Sequence, residues 1–282
     1  MAIFTFEESS SPYFRGQWRF QRPERCAELS ERGLRPVTEF LEESIKLGRS
    51  SEEDVMKEHL HPSLVRLYGG ASDDDAFLYL DESYSVPDEY ESGSFYILAA
   101  VKLSYGDLEG TRKTLRDISE KDYWHTTDEL RTSEGQYRTV EMLKQLDSWG
   151  DKHLVSVEIP LQSGGALEQA RGDCLRALVE HIYGSARDNP PAGLIFEKRL
   201  RRVDDNRDRR LVRRLRQEGI FPREVGVAWV SPSDEQLLWA PDITCMAYRR
   251  QITHKGRNET GDYFETYLEP HSTIIYAAPQ KK

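Results

Sequence analysis

From His153 onward, short apolar runs alternate with longer stretches whose apolar residues recur every three or four positions. That alternation limits the fold more than any other feature of the chain. Leu154 to Ile159, Gly193 to Phe196 and Val225 to Val230 have the length and composition of buried strands. Between the first two, Ala166 to Tyr183 repeats Leu167, Ala170, Cys174, Leu178 and Ile182 along one helical face, with Gly184 placed to end it. Asn206 to Glu218 is a second helix, with Asn206 as candidate N-cap and Gly219 as candidate C-cap. Ser233 to about Gln251 is a third, with Leu237, Leu238, Ile243, Met246 and Ala247 on its apolar side. Strand-helix units in series require crossover connections, so they predict a mostly parallel sheet covered by helices, an α/β fold.

Upstream, Ala76-Phe77-Leu78-Tyr79-Leu80 runs directly into Asp81-Glu82-Ser83. In a strand the side chains alternate, which puts Phe77, Tyr79 and Asp81 on one face and Leu78, Leu80 and Glu82 on the other. A carboxylate that continues a core-facing row is costly unless a metal ion or an arginine compensates it. The alternative is a strand that ends at Leu80, with both acids solvated. Ser94 to Leu103 is a second strand, joined to the first as a hairpin, and helices follow from Asp107 and from Ser133. Residues 1–70 differ in character. They open aromatic and basic, and they continue with helix-like stretches over Pro36 to Leu47 and from Ser51, where Pro62 is expected to break the second. We expect an N-terminal helical extension ahead of a main domain at 71–282, and a protein partner could use that extension.

The net charge of -10 excludes a generally basic nucleic-acid-binding surface, so any such site must be local. Three dispersed cysteines suggest neither a zinc site nor a disulfide framework. With no signal-like start and no long apolar run, the expectation is a soluble cytoplasmic protein without a membrane anchor.

Sites in such sheets form at the carboxyl ends of strands. Acids stand there: Asp81 and Glu82 after the first strand, Glu197 after Leu194-Ile195-Phe196, and Asp242 in the last helix. Carboxylates from separate elements could converge on Mg²⁺ or Mn²⁺, which favour oxygen ligands and support phosphodiester cleavage. Equally, Glu197 could pair with Arg199 or Arg201, and Asp242 could cap a helix restarted after Pro241. His125, beside Asp128 and Glu129, is either a metal ligand or proton shuttle, or part of a loop that caps a helix. Glu158 is expected to face outward. From Lys198 to Arg216 ten Lys/Arg face three Asp, a local +7 that leaves about -17 elsewhere. Arg207, Arg209, Arg210, Arg213 and Arg214 could track phosphates or form a solvated face.

The order of these pieces resembles the bacterial family known as domain of unknown function 3800. That family opens with a strand ending Asp-Glu-Ser-Gly, similar to Asp81-Glu82-Ser83, with Tyr84 in place of the Gly. His125 to Leu130 resembles its His-Ala-x-Asp/Glu-Leu segment, Glu197 stands where a later strand often ends in Asp, and Leu238-Trp239-Ala240-Pro241-Asp242 is similar to Leu-x-x-Ala-Asp. The resemblance covers roughly residues 76–251. It implies an RNase H-like mixed sheet flanked by helices and a divalent-metal-dependent nuclease or phosphoryl-transfer activity on DNA or RNA. Asp81, Glu197 and Asp242 would hold Mg or Mn, with Glu82 and His125 assisting. A catalytically inactive binding module on the same fold is the alternative.

Overall fold

The computed structural model describes residues 60–86, 93–150, 152–161, 167–184, 189–199, 202–255 and 259–277. The expected helices over Pro36 to Leu47 and from Ser51 to residue 59 lie outside them. Six strands, β1 (Ala76–Ser85), β2 (Phe95–Ser104), β3 (His153–Glu158), β4 (Gly193–Glu197), β5 (Gly226–Val230) and β6 (Ser272–Tyr276), form one sheet in the order β5-β4-β1-β2-β3-β6. β2 pairs antiparallel with both neighbours, and every other pairing is parallel. The carboxyl ends of β1, β3, β4, β5 and β6 therefore share one edge. This is a mixed sheet flanked by helices, of the α/β class expected from the sequence.

Helices cover both faces, as strands apolar on both sides require. On one face Phe77, Tyr79, Ala99, Val155 and Ile195 pack against α2 (Leu108–Ser119), α4 (Ser133–Asp147) and α7 (Trp239–His254). On the other, Leu78, Leu80, Leu98, Leu194 and Phe196 pack against α5 (Leu167–Tyr183) and α6 (Arg202–Gln217). A four-residue helix, α3 (Thr126–Glu129), precedes α4.

Several local expectations change. Pro62 opens a helix, α1 (Pro62–Leu67), where its missing N–H is no loss and His61 accepts the Ser63 N–H. Leu64 of α1 is fully buried, and the Tyr68 hydroxyl lies 2.7 Å from that of Tyr79 on β1. A Cβ at Gly193 would come within 2.8 Å of Leu67 Cδ1, so the glycine at the start of β4 makes room for α1. α6 begins at Arg202 rather than Asn206, with Asp204 and Asp205 in its first turn, where the helix dipole favours acids. α7 begins at Trp239 after a short 3₁₀ turn, and Pro241 sits in its first turn without interrupting it. Glu158 is buried, contrary to the outward expectation, because β3 lies inside the sheet with helices on both sides.

Candidate active site

β1 does not stop at Leu80. It continues to Ser85, paired with β2, so Asp81 and Glu82 are strand residues. On its other side β1 runs parallel to β4 with Leu80 opposite Phe196. The next residue of each strand is an acid, and that register sets Asp81 beside Glu197 on the face that Tyr79 and Ile195 occupy below them. α7 crosses that same face. Asp242 in its first turn joins the two strand acids closely enough for its charge to bear on both. The three carboxylates form the floor of an open cleft of about 990 Å³ at the carboxyl edge of the sheet.

Asp242 is held from outside its own helix. Its Oδ2 accepts the Thr126 N–H at 3.0 Å and the Thr126 hydroxyl at 2.8 Å. Thr126 in turn receives the indole N–H of buried Trp124 at 2.8 Å. This chain of bonds fixes the turn that carries His125. His125 Nδ1 is 3.2 Å from Asp128 Oδ2, and the ring is exposed at the cleft.

All three acids are pushed above the usual carboxylate range. For Asp81 the main cause is burial, then the charges of Glu197 and Asp242, then a hydrogen bond shared with Glu197. Glu197 is raised by burial and by Asp242, although the bond to Asp81 and the nearby His125 pull it down. Asp242 is raised by burial in spite of Thr126 and His125. Burial and the neighbouring acids thus favour the neutral form of Asp81 and Glu197 over two adjacent charges. None of the three acids forms an ion pair among the described residues. In particular, Arg199 turns away from Glu197 to Glu168, Asp208 and Glu82.

Glu82 does not join them. One position along the strand, it faces the other side, where it contacts Arg171 and accepts the Tyr96 hydroxyl at 2.6 Å. Arg171 also grips Asp208 of α6 with two bonds of 2.8 Å. The arginines of α6 fan out around the helix. All five candidates are exposed, but only Arg207 lines the acidic cleft. Arg209 lies 4.5 Å over the Trp229 ring, and Arg210 and Arg214 border a separate shallow groove beside α5. Sequence reasoning missed Thr126, Arg171, Arg249 and Tyr123. A Thr inside the His125 segment was the available sign for the first, but the others carried no local signal.

The donor set is chemically right for a hard divalent cation: carboxylate oxygens only, on three elements, with an uncompensated charge. Nevertheless, no group of three or more His, Cys, Asp or Glu side chains among the described residues is already arranged as a metal site. No helix among the described residues is long and apolar enough to cross a membrane.

No protein-family model matches the chain, and no curated protein matches it. Among solved structures it is similar to Bst-RNase HIII crystallised in complex with Mn²⁺, at 14% identity and a TM-score of 0.36 over 68% of this chain. The match spans 58% of that protein.

Proposed function

We propose that this protein is a divalent-metal-dependent nuclease, or a related phosphoryl-transfer enzyme acting on nucleic acid. The observation that carries the reading is the meeting of Asp81, Glu197 and Asp242 on one cleft floor without a basic partner among the described residues. Mg²⁺ or Mn²⁺ held by these carboxylates would activate water and stabilise the leaving oxygen of a phosphodiester. The protein's own groups divide the remaining work. Thr126 orients Asp242 through Oδ2. With Nδ1 donating to Asp128, His125 keeps Nε2 as the atom that takes or returns a proton at the cleft. Glu82, Arg171 and Asp208 fix the strand beneath Asp81 to the basic helix. Arg207 meets the phosphate backbone. Membership of the domain of unknown function 3800 family belongs to the same reading, supported by the motifs at Asp81-Glu82-Ser83, His125 to Leu130, Glu197 and Asp242.

One observation favours a second reading. Burial raises Asp81 and Glu197 and so favours their neutral forms, which suits a catalytically silent nucleic-acid-binding module. Calorimetric titration with Mn²⁺ separates the two. The nuclease reading expects binding with proton release, lost in Asp242→Ala, and cleavage of labelled DNA or RNA in the wild type. Binding of nucleic acid with neither metal uptake nor cleavage would leave only the silent module.

A further inference from the structure

The turn entering α3 alternates between buried and exposed positions. Trp124 and Thr126 are buried, while Tyr123 and His125 are exposed and line the cleft. Tyr123 is 51% exposed, an unusual position for a large ring on a turn anchored by a buried indole. It lines the same cleft as Glu197, Asp242 and Asp81, and their charges bear on its hydroxyl. It packs on no other ring among the described residues. Tyr84, the other exposed tyrosine of the cleft, differs: it stacks on Tyr96 with ring centroids 6.1 Å apart.

Cations flank the same cleft from both sides of the sheet. Arg207 on α6 is 52% exposed there. Arg249 on α7 is also exposed at the cleft, makes one hydrogen bond of 3.5 Å to Ser83, and pairs with no carboxylate among the described residues. A polyanion passing between α6 and α7 would meet positive charge on either hand, carboxylates beneath, and one free aromatic face.

We propose that Tyr123 is a stacking platform for an unpaired nucleobase, and that the cleft therefore takes a single-stranded stretch of nucleic acid. This rests on the nucleic-acid reading above. Within a duplex both faces of a base are covered by its neighbours, so a ring at the cleft gains contact only with a base that is unpaired or at an end. Stacking of this kind tolerates any base, because each has a π-face, and it combines with backbone contacts from arginines.

The test is fluorescence anisotropy with a labelled ~12-nucleotide single strand and its blunt duplex, as DNA and as RNA. Titrations are run in EDTA and again with Ca²⁺, so that binding is read without turnover. We expect Tyr123→Ala to weaken single-strand binding by roughly 5- to 100-fold, Tyr123→Phe to stay within about twofold, and duplex binding to change by less than about twofold. Tyr123 is exposed, so neither change threatens the fold. The stacking proposal is overturned if Tyr123→Ala binds single strands as the wild type does. It is also overturned if single-strand and duplex binding fall together, or if Tyr123→Phe loses as much as Tyr123→Ala, which would make the hydroxyl the contact. If the wild type binds neither probe, the nucleic-acid reading itself fails and this proposal fails with it.

Discussion

Asp81 and Glu82 are consecutive residues of one strand, yet they face opposite electrostatic surroundings. On the side of Asp81, Glu197 and Asp242, three acids lie together with no ion pair among the described residues. On the side of Glu82, the acids Glu82, Asp208 and Glu168 are interleaved with Arg171, Arg199 and Arg207. On this side the chain neutralises its acids. Elsewhere it does the same, as with Glu235, fully buried against Arg112 at 2.7 Å. The first cluster contrasts with these paired acids, and unpaired acids gathered in a cleft are what the metal-binding proposal rests on.

The largest expected effect breaks the comparison at its centre. Asp81→Asn removes one charge from the unpaired cluster and should lower Mg²⁺- or Mn²⁺-dependent cleavage by about 10³- to 10⁴-fold, some 4–5 kcal/mol of barrier. Cleavage rates measured on labelled DNA and RNA, wild type beside variant, decide it, and equal activity eliminates the nuclease assignment.

On the opposite side the same kind of change should cost stability instead. Arg171→Ala leaves Asp208 and Glu82 without their main cation, and breaking such a buried pair costs about 3–5 kcal/mol. Urea unfolding of the two proteins gives the difference. A loss below about 1 kcal/mol would mean that this network is not the structural counterpart of the open cluster.

How far the sequence allowed this contrast to be read depends on which interaction placed each residue. The strands and the chain order of their terminal acids were legible, because apolar runs and alternation are local. The face that each of Asp81 and Glu82 adopts followed from the period of a strand. The pairing of Asp81 with Glu197 was not legible, since it depends on the register between strands more than a hundred positions apart, which only the packed sheet defines. Asp242 carried a misleading local signal: Pro241 beside it suggested a restarted helix, whereas its real partner is Thr126, across the site. The arginines of α6 were read as one grip, but a helix turns 100° per residue, and closely spaced cations spread around it. Glu158 was misplaced because an acid in a strand looks solvent-facing when the covering helices are unknown.

A pH series sharpens the comparison further. A carboxyl whose native pKa lies above its unfolded value keeps its proton longer in the folded state. Its contribution to stability then falls as pH rises from about 4 through the raised native value. Asp81 is raised well above its ordinary value, by burial first and then by the charges of Glu197 and Asp242. Glu129 acts in the opposite sense: burial alone would raise it, but Lys121 and Arg138 outweigh burial and hold it down, so it loses stability as pH falls. Subtracting the profile of Asp81→Asn from that of the wild type isolates the cluster. In EDTA the difference should grow against the wild type above pH ~4, with a slope of up to about 1.4 kcal/mol per pH unit for one proton. Parallel profiles would show that Asp81 is not protonated in the native state.

The smallest expected effect is also the most discriminating between the two sides. Asp242→Asn keeps an oxygen that can accept the Thr126 N–H and hydroxyl, so the tether of α7 to the α3 turn survives while the charge is lost. If Asp242 serves structure, as Asp208 does, the change should destabilise. If its charge is retained for a ligand, relief of repulsion within the cluster should stabilise the metal-free protein by about 1 kcal/mol, or a rise in Tm of about 2–4 °C. The same variant should then lose the further rise in Tm that Mn²⁺ produces in the wild type, because only ligand binding to the native state raises it. A lower Tm for Asp242→Asn in EDTA would place Asp242 with the neutralised acids and remove the asymmetry on which the functional reading stands.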